Sequence, residues 1–327
     1  MRSFSSFNGA FVGLVDEVWN HHTYVSRPRG QTVKEKLAVQ FSITDPRKRL
    51  LTVPERDASL CYVIAESLWY LLGSDKTEWI ANYSTFWKNI SDDGVTANSA
   101  YGSRIFKKHP KVAAGRLTQW DYVKEELRAD PDSRRAVVLI RTPDDSIDAK
   151  LDVPCTLSLQ FFIREGKLHL VSTMRSSDLI LGITNDIPAF CLFQELLARD
   201  LGVELGTYTH TSNSLHVYER HFSMCETIAS RKWGVPYSVA LPPLPQGEIP
   251  VAQMDRVQEV ARSITTPAGL EQFYNTGLHF IMDGQDPYWC DWAKILVAHR
   301  AGKLGEPQMM ADMIAGTEFT GYHAFKK

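Results

Sequence analysis

The sequence predicts a layered α+β domain, and three local patterns carry that reading. A helical pattern runs from Asp57 to Gly73, two strand-like runs meet at Glu165-Gly166, and a second helical pattern spans Asp186 to Leu201. Strands interleaved with helices in this order point to an α/β or α+β arrangement rather than a sandwich.

The first helix has Asp57 as its expected N-cap. Apolar residues recur at Leu60, Val63, Ile64, Leu68, Trp69 and Leu72, and Gly73 stands where a helix C-terminus favours glycine. Ala136 to Ile140 is a short apolar run that fits a buried strand. Thr156 to Ile163 and Lys167 to Thr173 read as two strands of a hairpin turning at Glu165-Gly166. The helix from Asp186 to Leu201 carries Pro188 in its expected first turn and Gly202 after its end. Leu215 to Tyr218 is a possible strand that points His216 and Tyr218 to one face. Five prolines between Val235 and Pro250 predict an extended linker or surface loop, and Met254 to Ile264 and Asp286 to His299 look helical. The expected organisation is a catalytic domain over residues 1–230, followed by this Pro-rich linker and a helical C-terminal appendage over 231–327.

Bulk properties exclude several classes. With 327 residues, 44% hydrophobic and 23% charged, the chain has the composition of a globular enzyme. A formal net charge of -2 gives no support to a nucleic-acid coat or a membrane surface. No apolar run approaches the roughly 20 residues needed to span a bilayer, and Met1 to Gly9 lacks a signal-peptide core, so a cytoplasmic location is expected. Cysteines at 61, 155, 191, 225 and 290 include no CxxC pair, and the ten histidines show no HExxH. Neither a disulfide framework nor a metal site is expected. No GxGxxG or GxxxxGK[ST] motif supports a dinucleotide or P-loop site.

Several residues are chemically suggestive. Cys155, after Pro154 at a strand edge, reads as a nucleophile if cations lower its pKa; taken alone it reads more simply as a small buried hydrophobe. Arg134, Arg135 and Arg175 can fork onto phosphate oxygens, with Ser176 adding a hydroxyl donor, or they can be solvated surface residues. Glu66 is a carboxylate within an otherwise apolar helix, which requires pairing, protonation or an acid–base role. Asp186 is a natural N-cap that can also present an oxygen to a ligand.

Taken together, these segments resemble the thymidylate synthase superfamily. The matching stretches are Glu66-Ser67-Leu68-Trp69, Ala100-Tyr101-Gly102, Asp132-Ser133-Arg134-Arg135, Pro154-Cys155, Arg175-Ser176-Ser177-Asp178 with Gly182, Asn185-Asp186-Ile187 and His216-Val217-Tyr218. They stand in the family's order and near its spacing over roughly residues 10 to 225. The resemblance implies a mixed β-sheet with flanking helices, packed sheet to sheet in a homodimer. It also implies that Cys155 attacks C6 of a pyrimidine nucleoside monophosphate and that C5 takes a one-carbon unit from 5,10-methylenetetrahydrofolate. By the same resemblance, Glu66 manages proton transfers with Tyr101 nearby, and Arg175 and Ser176 hold the phosphate. Arg134 and Arg135 arrive from the other subunit, and Arg27 or Arg29 closes over the phosphate. His216 and Tyr218 hold the ribose, Asp178 and Trp87 face the folate, and the clustered arginines favour the Cys155 thiolate.

Three departures refine the expectation. Thymidylate synthases have asparagine where this chain has Asp186; a carboxylate suits the N4 amino group and, with a shared proton, N3 of cytosine. The family's cytidylate hydroxymethylases, of phage and of nucleoside-antibiotic pathways, carry Asp at this place. Thr156 stands where histidine commonly follows the nucleophile, and the C-terminus lacks the short tail that shields the folate. The expected reaction is therefore 5-hydroxymethylation of CMP or dCMP, with methylation of dUMP as the alternative that Asp186 disfavours.

Overall fold

The computed structural model describes residues 1–107, 118–147, 150–231 and 234–325. Its strands are β1 (Arg2–Phe4), β2 (Tyr24–Ser26), β3 (Val33–Ile43), β4 (Val137–Leu139), β5 (Thr156–Arg164), β6 (Lys167–Met174), β7 (Ser177–Asp178) and β8 (Glu204–Tyr218). They form a mixed sheet in the order β1-β3-β8-β6-β5-β4, with β2 pairing β3 and β7 pairing β8. The expected hairpin is present: Glu165 and Gly166, at φ 52° and 73°, make the two-residue turn between β5 and β6.

Around the sheet lie α1 (Phe7–His21), α2 (Leu60–Leu71), α3 (Thr77–Ala81), α4 (Phe86–Ile90), α5 (Tyr101–Phe106), α6 (Gln119–Ala129), α7 (Ile183–Leu201) and α8 (Phe222–Ala229). The chain continues into α9 (Val251–Ser263), α10 (Pro267–Gln272), α11 (Leu278–Ile281), α12 (Pro287–Lys303) and α13 (Pro307–Ala315). No helix among the described residues is long and apolar enough to cross a membrane.

Alternation along β8 divides the sheet's two faces. Tyr208, His210 and Ser212 are buried, while Thr207, Thr209 and Thr211 remain partly exposed. The inner face continues through Phe41, Leu159, Phe161, Leu168 and Leu170, all fully buried. The other face is partly open and mixed in chemistry, with Phe162, Val171 and the β8 threonines.

Two helix starts differ from the sequence reading. Ser59, not Asp57, caps α2: its hydroxyl accepts from the Tyr62 N–H, while Asp57 lies in a turn at φ 45°. α7 begins at Ile183, so Asp186 is not its N-cap but sits within its first turn, and Pro188 falls in the second. Backbone bonds from Asn185 and Asp186 to the Gly182 carbonyl start this helix without a side-chain cap.

The Pro-rich stretch 235–250 has no regular secondary structure, yet it is fastened to the domain. Leu241 N donates to Arg47 O over 2.9 Å, and Asn8 Nδ2 donates to Pro236 O over 3.3 Å. At a buried node, Arg49 pairs with Glu195 at 2.6 Å and donates to the Tyr288 hydroxyl of α12, and Glu195 accepts from Leu244 N. Trp289, Trp292 and Tyr322 are buried in the same core as α2. Val63, Ile64 and Ser67 of α2 line one small void together with Trp292 and Tyr322.

Candidate active site

The site is assembled at one end of the central strands. Cys155 immediately precedes β5 and Arg175 immediately follows β6, and the antiparallel pairing of Thr156 with Met174 brings them side by side. The Arg175 N–H donates to Cys155 O at 2.8 Å. Its guanidinium donates to Pro154 O and Val153 O, each at 2.9 Å, so three bonds hold the arginine against the loop that carries the thiol.

Parallel pairing of β7 with β8 places Asp178 beside His216. One Asp178 oxygen accepts from Ile180 N and Leu181 N, shaping the turn that leads into α7; the other lies 3.8 Å from Arg220. Gly182 packs closely here: a Cβ would sit 3.0 Å from Asp178 O, a contact tight enough that the turn would have to give by a few tenths of an ångström. His216 is buried edge-on to Tyr218, with ring centroids 5.1 Å apart. Burial lowers the His216 pKa from its ordinary value, and Asp178 opposes that shift.

Opposite the strand ends stand α2, α5 and α7. α5 lies hard against α2: a Cβ on Gly102 would sit 2.2 Å from Tyr70 O. That approach stacks Tyr101 on Tyr70, with centroids 5.4 Å apart, and brings the Tyr101 hydroxyl to Thr156. Glu66 is buried on α2. Desolvation raises its carboxyl pKa to about 7, against hydrogen bonds from Tyr62 and Tyr70 that favour the ionised form. Asp186 is raised well above the usual carboxylate range by burial, then by the charges of Glu66 and Asp178.

Arginines favour the Cys155 thiolate, but burial outweighs them. Burial raises its pKa, Arg175 and Arg29 lower it, and Asp186 and Asp152 raise it further. The net direction is upward, because two carboxyl groups and desolvation outweigh two guanidinium groups.

Cys155, Glu66, Tyr101, Asp186, Arg175, Asp178 and His216 are thus brought together, with Ser176 half-buried between Arg175 and Ser177. Arg29 acts on Cys155 from an exposed loop, at φ 51°; Arg27, beside it, is also exposed. Arg134 and Arg135 are exposed before β4, at the far edge of the sheet, and do not join the cluster within one chain. Trp87 is buried against Trp69, with centroids 4.9 Å apart.

Sequence reasoning missed Tyr62, whose hydroxyl donates to Glu66 Oε1 at 2.6 Å and accepts from Trp87 Nε1 at 2.9 Å. Its position four residues before Glu66 on one helix was the available signal. It also missed Arg220, which lies 4.3 Å over the Tyr218 ring and donates to Gln31 Oε1, linking the Arg29 loop to Asp178. A cleft of about 410 Å³ bounded by Arg47, Glu195, Arg199 and Pro243 contains none of these residues.

A family model described as Thymidylate synthase matches residues 9–254. The deoxyuridylate hydroxymethyltransferase of Bacillus phage SP01 is 36% identical over 201 residues, covering 59% of this chain and 52% of that protein. The thymidylate synthase of Bacillus phage phi3T is 32% identical over 154 residues, covering 47% and 55%. The chain spans about half the length of these curated relatives.

Proposed function

Because the chain belongs to the thymidylate synthase family, we propose that it transfers a one-carbon unit to C5 of a pyrimidine nucleoside monophosphate, and that the preferred base is cytosine. The co-substrate is 5,10-methylenetetrahydrofolate, which supplies carbon at the formaldehyde oxidation level. Loss of the C5 proton and departure of tetrahydrofolate leave an exocyclic methylene to which water adds, and the product is 5-hydroxymethyl-CMP or 5-hydroxymethyl-dCMP.

The buried carboxyl of Asp186, its pKa raised well above the usual carboxylate range by burial and then by Glu66 and Asp178, supports the choice of base. A neutral carboxyl donates through its hydroxyl and accepts through its carbonyl. Opposite cytosine it donates to N3 and accepts from the N4 amino group. Opposite uracil it exchanges roles, donating to O4 and accepting from N3–H. Cytosine N3 is much the more basic acceptor, so a proton shared with Asp186 stabilises the cytosine pair more.

In this reading the Cys155 thiolate adds to C6, and the displaced π electrons make C5 the nucleophile toward the one-carbon unit. Glu66, poised near neutrality, moves protons to and from the substrate through water. Arg175 and Ser176 bind the phosphate, His216 and Tyr218 the ribose. Trp87 and Asp178 face the folate. The exposed Arg134 and Arg135 are free to reach a second subunit's phosphate, and the partly open sheet face is the surface for that homodimer. The name of the phage SP01 relative favours a second reading, hydroxymethylation of dUMP.

One assay separates these readings. Methylenetetrahydrofolate is supplied with CMP, dCMP, UMP or dUMP in turn, and the product is weighed by mass spectrometry. A cytidylate product heavier by CH2O is the expected result. A heavier uridylate alone overturns the choice of base, and turnover retained by Cys155→Ala overturns the covalent mechanism.

A further inference from the structure

We propose that Tyr62 is a positioning residue for Glu66, holding one carboxylate oxygen as an acceptor and tying its proton affinity to the Trp87 indole. The inference rests on the proposed one-carbon transfer, in which Glu66 moves the protons. Its basis is a chain of two bonds. Trp87 Nε1 donates to the Tyr62 hydroxyl oxygen at 2.9 Å, and that hydroxyl donates to Glu66 Oε1 at 2.6 Å.

The direction of this chain is set by chemistry. An indole N–H is only a donor, so it occupies a lone pair of the phenol oxygen and leaves the phenol proton to point at Glu66. Tyr62 and Glu66 are four residues apart on α2, so one helical turn fixes their separation. Burial, then the Glu66 charge, keeps the Tyr62 phenol protonated well above its ordinary range. Tyr62 therefore serves as a fixed donor and does not itself carry a proton through the cycle.

The other titratable groups around Glu66 are Tyr70 on the same helix, Tyr101 on α5 and Asp186 at the start of α7. Tyr70 donates as Tyr62 does. The charge of Glu66 raises the pKa of Asp186, so an ionised Glu66 holds the proton on Asp186. Tyr62 is the member of this group whose donation is polarised from outside, by a tryptophan on the proposed folate wall. Anything that displaces the Trp87 ring is thereby read at Glu66.

The test is the pH dependence of C5 hydrogen exchange, followed as tritium release from C5-labelled nucleotide into water. Exchange needs only thiol addition, proton transfer at C5 and elimination, so it reports the acid–base step without the folate. Tyr62→Phe keeps the ring and removes the donor. Its ascending limb is expected to move upward by about one pH unit, the worth of a charge-assisted hydrogen bond to the ionised form. Nucleotide KM should stay within about twofold, because Tyr62 is not placed on the substrate. Trp87→Phe is expected to move the limb the same way by less, and to add nothing in the Tyr62→Phe background. An active Tyr62→Phe protein with the wild-type limb overturns the proposal, as does an additive double variant. If Tyr62→Phe does not fold, an unmoved limb in Trp87→Phe overturns it instead. A wild-type protein that exchanges C5 hydrogen on no pyrimidine monophosphate overturns the underlying function, and this inference with it.

Discussion

The backbone N–H of Arg175 donates to the carbonyl of Cys155 over 2.8 Å, so the guanidinium and the thiol move as one unit. Arg175 also lowers the pKa of that thiol against the larger effect of burial. Arg175→Ala is expected to slow alkylation of Cys155 at fixed pH, because the thiolate loses the cation that lowers its pKa most. The same change should raise nucleotide KM about tenfold or more, a charge-assisted phosphate contact being worth about 1.5–3 kcal/mol. Alkylation kinetics and steady-state assays read the two effects separately, and an unchanged KM removes Arg175 from the phosphate site.

Glu66 titrates near pH 7 because burial raises it. If its ionised form takes the substrate proton, turnover rises with pH through that value and levels above it. Glu66→Gln should abolish this limb and lower kcat by about 10²–10⁴. A Gln variant that keeps both the limb and the rate assigns the titration to another group.

Asp186→Asn replaces a protonatable acid with an amide that pairs with uracil as asparagine does in thymidylate synthases. The ratio of kcat/KM for dUMP over dCMP should rise by about 1–3 kcal/mol in free-energy terms. Competition between the two nucleotides in one reaction measures that ratio directly. An unmoved ratio means the base is read by some other residue.

Gly102→Ala tests the seam between α5 and α2. The added methyl would meet Tyr70 O at 2.2 Å, and backbone cannot swing aside as a flexible side chain does. Destabilisation of about 1–3 kcal/mol or more is expected, read as a lowered denaturant midpoint. A midpoint equal to wild type shows that the two helices can part without penalty.

Much of the fold was legible because local patterns agree with tertiary need. The β5–β6 hairpin announces itself through Glu165-Gly166 and through alternation that matches its burial. By contrast, β3 is obscured by the polar run Lys34-Glu35-Lys36 and by Ala38 at φ 55°, which breaks its alternation. Asp57 and Asp186 were misread for one reason: aspartate favours caps, but backbone bonds at Ser59 and Gly182 set the true helix starts.

For the candidate site, the motifs were enough to expect that Cys155, Glu66, Arg175, Asp178 and Asp186 gather in space, which they do. The pKa of Cys155 was not legible, since it depends on a balance of burial and four charges that only three-dimensional proximity reveals. Tyr62 escaped because an aromatic at helical spacing reads as ordinary core until its hydroxyl is seen between Trp87 and Glu66.

The rear of α2 has a consequence for how this protein can be cut or recombined. The family match ends at residue 254, yet Trp292 and Tyr322, far beyond that point, close over Val63, Ile64 and Ser67 of α2, the helix that carries Glu66. A chain shortened to the recognisable portion would leave Val63 and Ile64 facing water, and the helix that must hold Glu66 still would lose its backing. Swapping active-site motifs between this protein and a shorter relative therefore transplants the chemistry without the wall it leans on. Packing supplied from beyond the family match sets how much alteration α2 can tolerate.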